Sequence, residues 1–271
     1  MICLTIDIHH MSLDTPDQKR LKGFTESDIA AEFIRMARDR GIKLTCFVTG
    51  RLVREEPIDV YRNFDNIEIG GHTYNAFEPQ LFHRITKKLL GTYCGPSWYQ
   101  ERDIRNTVRA IKEKLNIEIK SWRDHAYFND KNTRTILNKY GIKVLSDGVS
   151  RDQAFPVQDE SGVYDFPINI LPDHEHLFHS DRNPASVKRW VGRYRWSDAF
   201  GSESYNINKW YEIVEGQIKK RETSSEIGLM LVHPVCLYLC DEYKTISKLL
   251  NLARDYKTIF LKDSVQYARK R

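Results

Sequence analysis

The sequence predicts an α/β barrel formed by a single domain over residues 1–271. Short apolar segments rich in β-branched residues alternate with segments whose apolar residues recur at helical spacing. With 41% hydrophobic and 29% charged residues, the composition is that of an ordinary globular protein. No internal repeat or Gly/Ser-rich linker divides the 271 residues, which suffice for one sizeable core. Six to eight strands alternating with helices favour a barrel.

The beginning of the chain shows the alternation clearly. Ile2 to Ile8 is an apolar run that ends in polar residues, so we predict a buried strand there. Ser27 to Arg40 carries apolar residues at helical spacing after a polar cap, and Gly41 ends this predicted helix. The apolar runs Lys43 to Thr49 and Ile67 to Gly71 predict the second and third strands.

The rest of the chain continues in the same rhythm. The predicted elements are, in order, helix Asp103 to Leu115, strand Ile117 to Trp122, helix Thr133 to Tyr140, strand Ile142 to Leu145, strand Val163 to Leu171, helices Lys188 to Tyr194 and Asn208 to Lys220, strand Ile227 to Val232, and a helix and strand ending at Phe260-Leu261. Asn75 to Gln100 and Pro172 to Asn183 are the longest stretches predicted to be irregular. Loops of this length usually carry function or cover a site.

Composition and charge exclude several classes of partner. The formal net charge is +5, but the basic residues are scattered among nearly as many acidic ones, so nucleic-acid binding is not expected. No apolar run reaches the roughly 18 residues of a membrane-spanning helix. The first residues show no secretion signal, so we expect a cytoplasmic protein. Its five cysteines lack CxxC spacing and are expected to be thiols.

Polar side chains follow five of the predicted strands. In parallel α/β barrels the carboxyl ends of the strands form the active site, so residues at these positions are candidates for chemistry. They are Asp7, His9 and His10 after the first strand, then His72, then Arg123, Asp124 and His125, then Asp147, and finally His233. A single aspartate or histidine at a strand end usually only holds a loop, but their combination predicts an active site.

Five segments resemble the motifs of a known family. They are LTIDIHH (4–10), KLTCFVTG (43–50), EIGGHTYN (68–75), SWRDHAY (121–127) and LMLVHP (229–234). In this order they resemble the polysaccharide deacetylases with the NodB-homology domain, also called carbohydrate esterase family 4. The resemblance spans nearly the whole chain. It implies a distorted (β/α) barrel of about seven strands and hydrolysis of an N-acyl group from a sugar.

The resemblance also assigns roles to individual residues. Asp7 matches the general base, which must lie within hydrogen-bond reach of the attacking water. Arg123 matches the residue that holds this carboxylate, and His233 matches the histidine that protonates the leaving amine, a role suited to imidazole. Three further residues beside the motifs are expected to contact the substrate: Tyr74, Tyr127 and Asp147.

The expected metal site departs from the family pattern. The family uses an aspartate near the base and two histidines four residues apart, and here His72 is present but Ala76 replaces its partner. His9 takes the position of the metal aspartate, and strand alternation puts it on the same face as Asp7. We therefore expect a divalent ion, Zn²⁺ by the family pattern, on His9 and His72. The candidates for a third ligand are His174, His176 and His125.

Three functions follow from this pattern. The first is a metal-dependent deacetylase of an N-acylated amino sugar, carried by a nucleotide or a lipid, in polysaccharide or glycoconjugate biosynthesis. The second is a metal-independent hydrolase of non-peptide carbon–nitrogen bonds on the same fold, which Ala76 favours and the two histidines disfavour. The third is a catalytically inactive sugar-binding homologue, which the presence of Asp7, Arg123 and His233 disfavours.

Overall fold

An eight-stranded sheet forms the centre of the computed structural model, which describes residues 1–269. Its strands are β1 (Ile2–Ile8), β2 (Leu44–Val48), β3 (Ile67–Gly71), β4 (Ser121–Trp122), β5 (Val144–Leu145), β6 (Val157–Gln158), β7 (Tyr164–Asp165) and β8 (Gly228–Val232). Their order is β6-β7-β5-β4-β3-β2-β1-β8, and every neighbouring pair is parallel except β6 and β7. The sheet curls into a partly open barrel, which confirms the predicted distorted (β/α) barrel.

Nine helices surround the sheet in the described part of the chain. They are α1 (Glu26–Arg38), α2 (Gly50–Glu55), α3 (Gln80–Leu90), α4 (Ser97–Leu115), α5 (Lys131–Lys139), α6 (Pro184–Tyr194), α7 (Ile207–Thr223), α8 (Pro234–Asp241) and α9 (Lys244–Arg254). The prediction that Asn75 to Gln100 is irregular is wrong, because α3 and the start of α4 lie there. No helix within residues 1–269 is both long and apolar enough to cross a membrane.

Several predicted strands are shorter than expected: Ile117 to Trp122 is reduced to β4 (Ser121–Trp122), and Ile142 to Leu145 is reduced to β5 (Val144–Leu145). Of Val163 to Leu171 only β7 joins the ladder, because the chain then crosses toward the edge of β8. There Asn169 acts as a local substitute for a strand: its backbone N–H donates to the Leu229 carbonyl and its side-chain amide oxygen accepts from the Leu229 N–H. The predicted strand ending at Phe260-Leu261 is reduced to one bridge between Thr258 and Ile2, and a 3-10 helix follows at Leu261–Tyr267.

The strand register determines where the functional side chains lie. β1 lies between β2 and β8, with Asp7 opposite Phe47 and Ile6 opposite Val232. Every residue of β1 is buried, since helices cover the sheet as in other parallel α/β folds. The carboxyl ends of β1, β3, β4 and β8 consequently meet at one end of the barrel, where the polar strand-end residues gather.

Candidate active site

A cavity of about 540 Å³ opens at the carboxyl ends of the strands. Its wall includes residues from the ends of β1, β3 and β8 and from the turn after β4: Asp7, His9, His72, His125, Tyr127 and His233. The cavity also receives side chains from the irregular segment 172–183. The strand ends therefore meet where the barrel prediction places an active site.

Asp7 is held from below by a buried arginine. Its Oδ1 accepts a hydrogen bond of 2.8 Å from Nη1 of Arg123, which is fully buried. Arg123 also donates to Thr5 Oγ1 and, through Nε and Nη2, to the carbonyl and hydroxyl oxygens of Ser146. Its guanidinium lies over the Phe47 ring, with 4.4 Å between Cζ and the ring centroid. These bonds fix the orientation of Asp7 and leave its Oδ2 facing the cavity.

Three imidazoles converge beside Asp7. Nε2 of His9 lies 3.2 Å from Nε2 of His72 and 3.2 Å from Nδ1 of His125. In a tetrahedral zinc site with Zn–N bonds of about 2.0–2.1 Å, neighbouring nitrogens are about 3.3 Å apart. The spacing of the three nitrogens therefore matches one face of such a site.

Hydrogen bonds behind the imidazoles orient their lone pairs. His72 Nδ1 donates to the Arg123 carbonyl oxygen at 2.9 Å, and His9 Nδ1 donates to Glu26 Oε1 at 2.9 Å. With both Nδ1 atoms engaged in this way, the Nε2 atoms of His9 and His72 are directed toward each other, 3.2 Å apart. Burial, with the neighbouring His9 and Arg123, holds the pKa of His72 well below its ordinary value, and burial does the same to His125. Neutral imidazoles at His72 and His125 beside His9 Nε2 fit a bound cation.

His233 faces Asp7 from the other side of the cavity. Its Nδ1 donates to Oδ1 of Asp173 at 2.8 Å, and its backbone N–H donates to the other oxygen of the same carboxylate at 2.6 Å. Burial opposes the charged form, but the Asp173 carboxylate outweighs it and raises the pKa of His233 to about 9. The protonated Nε2 lies 3.9 Å from Asp7 Oδ2. A proton donor and a carboxylate thus face the same space.

Sequence comparison identifies the family. The sequence profile described as polysaccharide deacetylase matches residues 2–145, which is more than half of the chain. The chain belongs to the polysaccharide deacetylase family. A comparison with curated proteins finds no match.

Solved structures support the same fold for this polysaccharide deacetylase family member. One is a provisionally assigned polysaccharide deacetylase from Mycobacterium smegmatis, with a TM-score of 0.72, 13% identity, and coverage of 100% of this chain and 92% of that one. Another is 4-alpha-glucanotransferase from Thermococcus litoralis, with a TM-score of 0.59, 12% identity and coverage of 99% and 39%. A carbohydrate esterase family 4 pseudoenzyme from Bacillus anthracis has a TM-score of 0.50, 13% identity and coverage of 99% and 66%.

The histidines expected as a third ligand lie in different places in this deacetylase family member. His125 joins His9 and His72. His176 is buried elsewhere, with Nδ1 2.6 Å from the Glu203 carbonyl oxygen and Nε2 3.0 Å from Asp198 Oδ2. Both its nitrogens are thus engaged. The exposed His174 lines the cavity but belongs to another group of potential ligands.

The residues expected to contact substrate are also separated. Tyr127 lines the cavity, whereas Tyr74 is half-buried and packs against Gly50 near α4. Asp147 is buried behind the site and accepts hydrogen bonds from the backbone N–H of Asp124 and the side chain of Asn129. It therefore braces the turn that carries the site histidine after β4.

Two carboxylates of the site were not singled out in the sequence. Glu26 lies in the stretch interpreted as the cap of α1, yet its side chain binds His9. Asp173 directly precedes His174, and only the histidines of this stretch were candidate ligands, yet the Asp173 carboxylate binds His233. Asp173 lies two residues beyond Leu171, at the end of a predicted strand. This position in the sequence could have identified it as a site residue.

Proposed function

We propose that this protein is a hydrolase that removes an N-acyl group, acetyl in the simplest case, from an amino sugar. The observation that carries the proposal is the position of Asp7, whose free oxygen faces a cavity between three convergent imidazoles and a protonated histidine. Oδ2 of Asp7 is 3.8 Å from His72 Nε2 and 3.9 Å from His233 Nε2. Base, metal ligands and acid thus surround one space large enough for a substituted sugar.

His9, His72 and His125 would hold a divalent metal ion, with Zn²⁺ the best fit to an all-nitrogen set. When bound, such an ion polarises the acyl oxygen and lowers the pKa of a bound water. Three protein ligands leave a further position open, as in catalytic rather than structural zinc sites. Glu26 behind His9 and the Arg123 carbonyl behind His72 keep both rings in the ligating tautomer.

Asp7 would act as the general base. Its Oδ2 takes a proton from the attacking water, while its Oδ1 stays bonded to Arg123. Since Arg123 is fully buried and its three guanidinium nitrogens donate to four protein oxygens, it cannot follow the substrate. Its task is to position the carboxylate.

His233 would act as the general acid. The Asp173 carboxylate keeps a proton on the imidazole near neutral pH, and Nε2 can donate this proton to the nitrogen that leaves when the C–N bond breaks. The proton taken by Asp7 and the proton given by His233 balance over one turnover. The proposal therefore requires that the amine leave on the side of the cavity that His233 occupies.

The substrate we propose is an N-acylated amino sugar attached to a nucleotide or a lipid. Tyr127 lines the cavity and offers an aromatic ring for a sugar face. The cavity opens beyond the imidazoles toward segment 172–183, which leaves room for a carrier group.

The decisive experiment measures acetate released from N-acetylglucosamine-type substrates with added Zn²⁺, with a chelator, and with Asp7→Asn. We expect both chelation and Asp7→Asn to abolish release, and Zn²⁺ to restore it to the chelated wild type. Activity that survives chelation but not Asp7→Asn would favour the metal-independent hydrolase, to which the loss of a ligand at Ala76 points. Saturable sugar binding without acetate release would favour the inactive sugar-binding homologue.

A further inference from the structure

A second group of potential metal ligands lines the same cavity. It consists of Asp17, His174, His179 and Cys236, whose donor atoms all lie within 4.8 Å of one another. They come from three segments: the turn before the 3-10 helix at Gln18–Arg20, the irregular segment 172–183, and the first turn of α8. This group shares no residue with the three imidazoles beside Asp7.

The geometry of the group departs from ordinary hydrogen bonding. His179 Nδ1 donates to the Leu177 carbonyl at 2.9 Å, so in the neutral ring the Nε2 lone pair faces Oδ2 of Asp17 at 3.4 Å. This is longer than the roughly 2.7–2.9 Å of a charge-assisted bond. It is close to the distance of about 3.3 Å that separates a nitrogen and an oxygen ligand bound to the same tetrahedral zinc ion. His174 Nδ1 and Cys236 Sγ are 3.8 Å apart. A nitrogen and a sulfur ligand of one tetrahedral zinc ion are about 3.6 Å apart.

We propose that Asp17, His174, His179 and Cys236 bind a second divalent metal ion of the zinc class. Thiolate, imidazole and carboxylate are the ligand types that zinc takes in four-coordinate protein sites. On binding, the Cys236 thiol gives its proton to solvent, and the thiolate and the Asp17 carboxylate together balance the charge of the ion. Four protein ligands make this a closed site, unlike the open three-histidine site.

This second ion would act on the reaction only through structure. It would tie segment 172–183 to α8 and to the turn at Asp17. Asp173, the residue next to His174, holds His233 through both carboxylate oxygens. Occupancy of the second site would therefore fix the orientation of His233, and Asp17 and His179 are positioning residues for that acid.

Cobalt substitution tests this site without measuring activity. Co²⁺ added to the metal-free full chain should bind at two equivalents and give a thiolate-to-cobalt charge-transfer band, which the three-histidine site cannot produce. Cys236→Ser should lose the band and one equivalent, whereas Cys240→Ser, a cysteine outside the group, should keep both. His72→Asn should lose one equivalent and keep the band.

Two results would overturn the proposal: no charge-transfer band in folded wild type, or a band that persists in Cys236→Ser. His179→Asn, checked for folding by circular dichroism, provides a second variant that should weaken the band. A wild type that binds one equivalent without the band would show that Asp17 and His179 form a plain ion pair. The band does not depend on whether the chain is a deacetylase, whereas the second equivalent rests on the three-histidine site of the proposed function.

The outer surface of α3 independently suggests a second inference. Leu81, Ile85 and Leu89 follow one another at intervals of four residues and are 70%, 48% and 74% exposed. Helices of folded proteins normally bury such a stripe. The buried positions of α3 are instead His83 and Thr86. The apolar face is thus turned to solvent.

The charges of α3 indicate what covers this face. Arg84, Lys87 and Lys88 are exposed beside the apolar stripe, and none of them forms an ion pair within residues 1–269. The helix contains no acidic residue. A solvent-facing apolar stripe beside unpaired cations is the pattern of helices that lie in the interface of anionic membranes.

We infer that α3 docks on an anionic lipid surface, with its leucine and isoleucine side chains among the headgroups. The helix begins at the rim of the catalytic cavity, because Glu78 and Gln80 line that cavity. Docking would bring the cavity to the membrane surface, within reach of a lipid-linked molecule. This inference concerns the surface alone and stands whether or not the reaction is deacetylation.

Vesicle co-sedimentation of the full chain tests the inference. Vesicles containing phosphatidylglycerol should bind the protein at least tenfold better than phosphatidylcholine vesicles. Leu81→Glu combined with Leu89→Glu should abolish binding, whereas Tyr194→Glu, at an equally exposed aromatic residue of α6, should not. Equal sedimentation of wild type and the double variant would overturn it. Concentration-dependent dimerisation that the double variant abolishes, without vesicle binding, would also overturn it and identify a second copy as the partner.

Discussion

At the scale of single residues, Arg123 shows how a buried charge is stabilised. Its guanidinium donates to Asp7, Thr5 and Ser146, so the cation is satisfied on all sides although no water reaches it. Removing one partner of such a buried pair leaves the other uncompensated, which typically costs about 3–5 kcal/mol. Lysine cannot replace it, because an ammonium group lacks the planar fork that reaches three residues at once.

We therefore expect Arg123→Met to lower the free energy of unfolding by about 3 kcal/mol, because the buried Asp7 loses the cation that is bonded to its Oδ1. Urea denaturation measures the change. Arg105→Met, at an exposed position of α4, is the control and should change stability by less than about 0.5 kcal/mol. A loss below about 1 kcal/mol in Arg123→Met would contradict the idea that this ion pair is tightly coupled.

The pair of His233 and Asp173 predicts a particular pH profile. The acid must be protonated, so the rate should fall as pH rises through the raised pKa of about 9. In Asp173→Asn the pKa of His233 returns toward about 6.5, and the fall should move to correspondingly lower pH. The pH dependence of kcat measures this, with Asp198→Asn, the partner of His176, as control. An unshifted alkaline limb in Asp173→Asn would exclude His233 as the acid.

At the scale of elements, the close approach of β3 and β4 depends on a glycine. A Cβ at Gly71 would overlap the ring of Trp122, whose indole N–H donates to Asp124 beside the site. Gly71→Ala should therefore destabilise the fold by about 1–3 kcal/mol through overpacking. At Gly216, an exposed position of α7, an added Cβ meets no atom within 4 Å. Gly216→Ala should therefore stabilise the fold by about 0.5–1 kcal/mol. Thermal unfolding of both variants separates steric overlap from backbone entropy. Equal stability changes in the two variants would contradict the claim that Gly71 is needed for the approach of β3 and β4.

Elements were predictable from the sequence where their apolar residues face the core. The helix α1 has Ile29, Phe33 and Ile34 buried against the sheet, so its periodicity points inward. The helix α3 also has helical spacing, in Leu81, Ile85 and Leu89, so the sequence contained a signal for it, but this apolar face is exposed and the buried positions hold His83 and Thr86. Apolar spacing therefore indicates a helix without showing that the core buries its apolar face.

The candidate site was predictable to the extent that strands position it. Asp7, His72 and His233 stand at strand ends, so the barrel alone brings them together. The choice among His125, His174 and His176 depended on loop conformation, which no periodicity encodes. The partners Asp173 and Glu26 were missed for the same reason, because a carboxylate that supports a histidine has no fixed spacing from it.

At the scale of the whole molecule, buried carboxyl groups make stability depend on pH. Burial raises the pKa of Asp103 to about 7, against the hydrogen bond from the Tyr74 N–H, which lowers it. A carboxyl group with a raised folded-state pKa costs nothing below about pH 3, where both states are protonated. The cost grows as pH rises to about 7.

Asp103→Asn keeps an acceptor for the Tyr74 N–H and removes this cost. The variant should match wild type at about pH 3 and exceed it at about pH 8 by a free energy on the order of 1 kcal/mol. Guanidinium unfolding at the two pH values measures the difference. Asp65→Asn, at an exposed position before β3, is the control. A stability gain that is equal at both pH values would contradict the linkage.

Single-domain organisation over residues 1–271 stays a prediction.

The pairing of β1 with β8 bears on how the protein is made. Ile2, the first residue of β1, lies opposite Gly228. Its strand therefore pairs with a strand that is synthesised more than two hundred residues later. During synthesis the first strand keeps one unpaired edge until almost the entire polypeptide has left the ribosome. The last strand to arrive is directly followed by His233. A truncated product therefore lacks the residue proposed as the acid and exposes a sheet edge, so incomplete chains should aggregate rather than act.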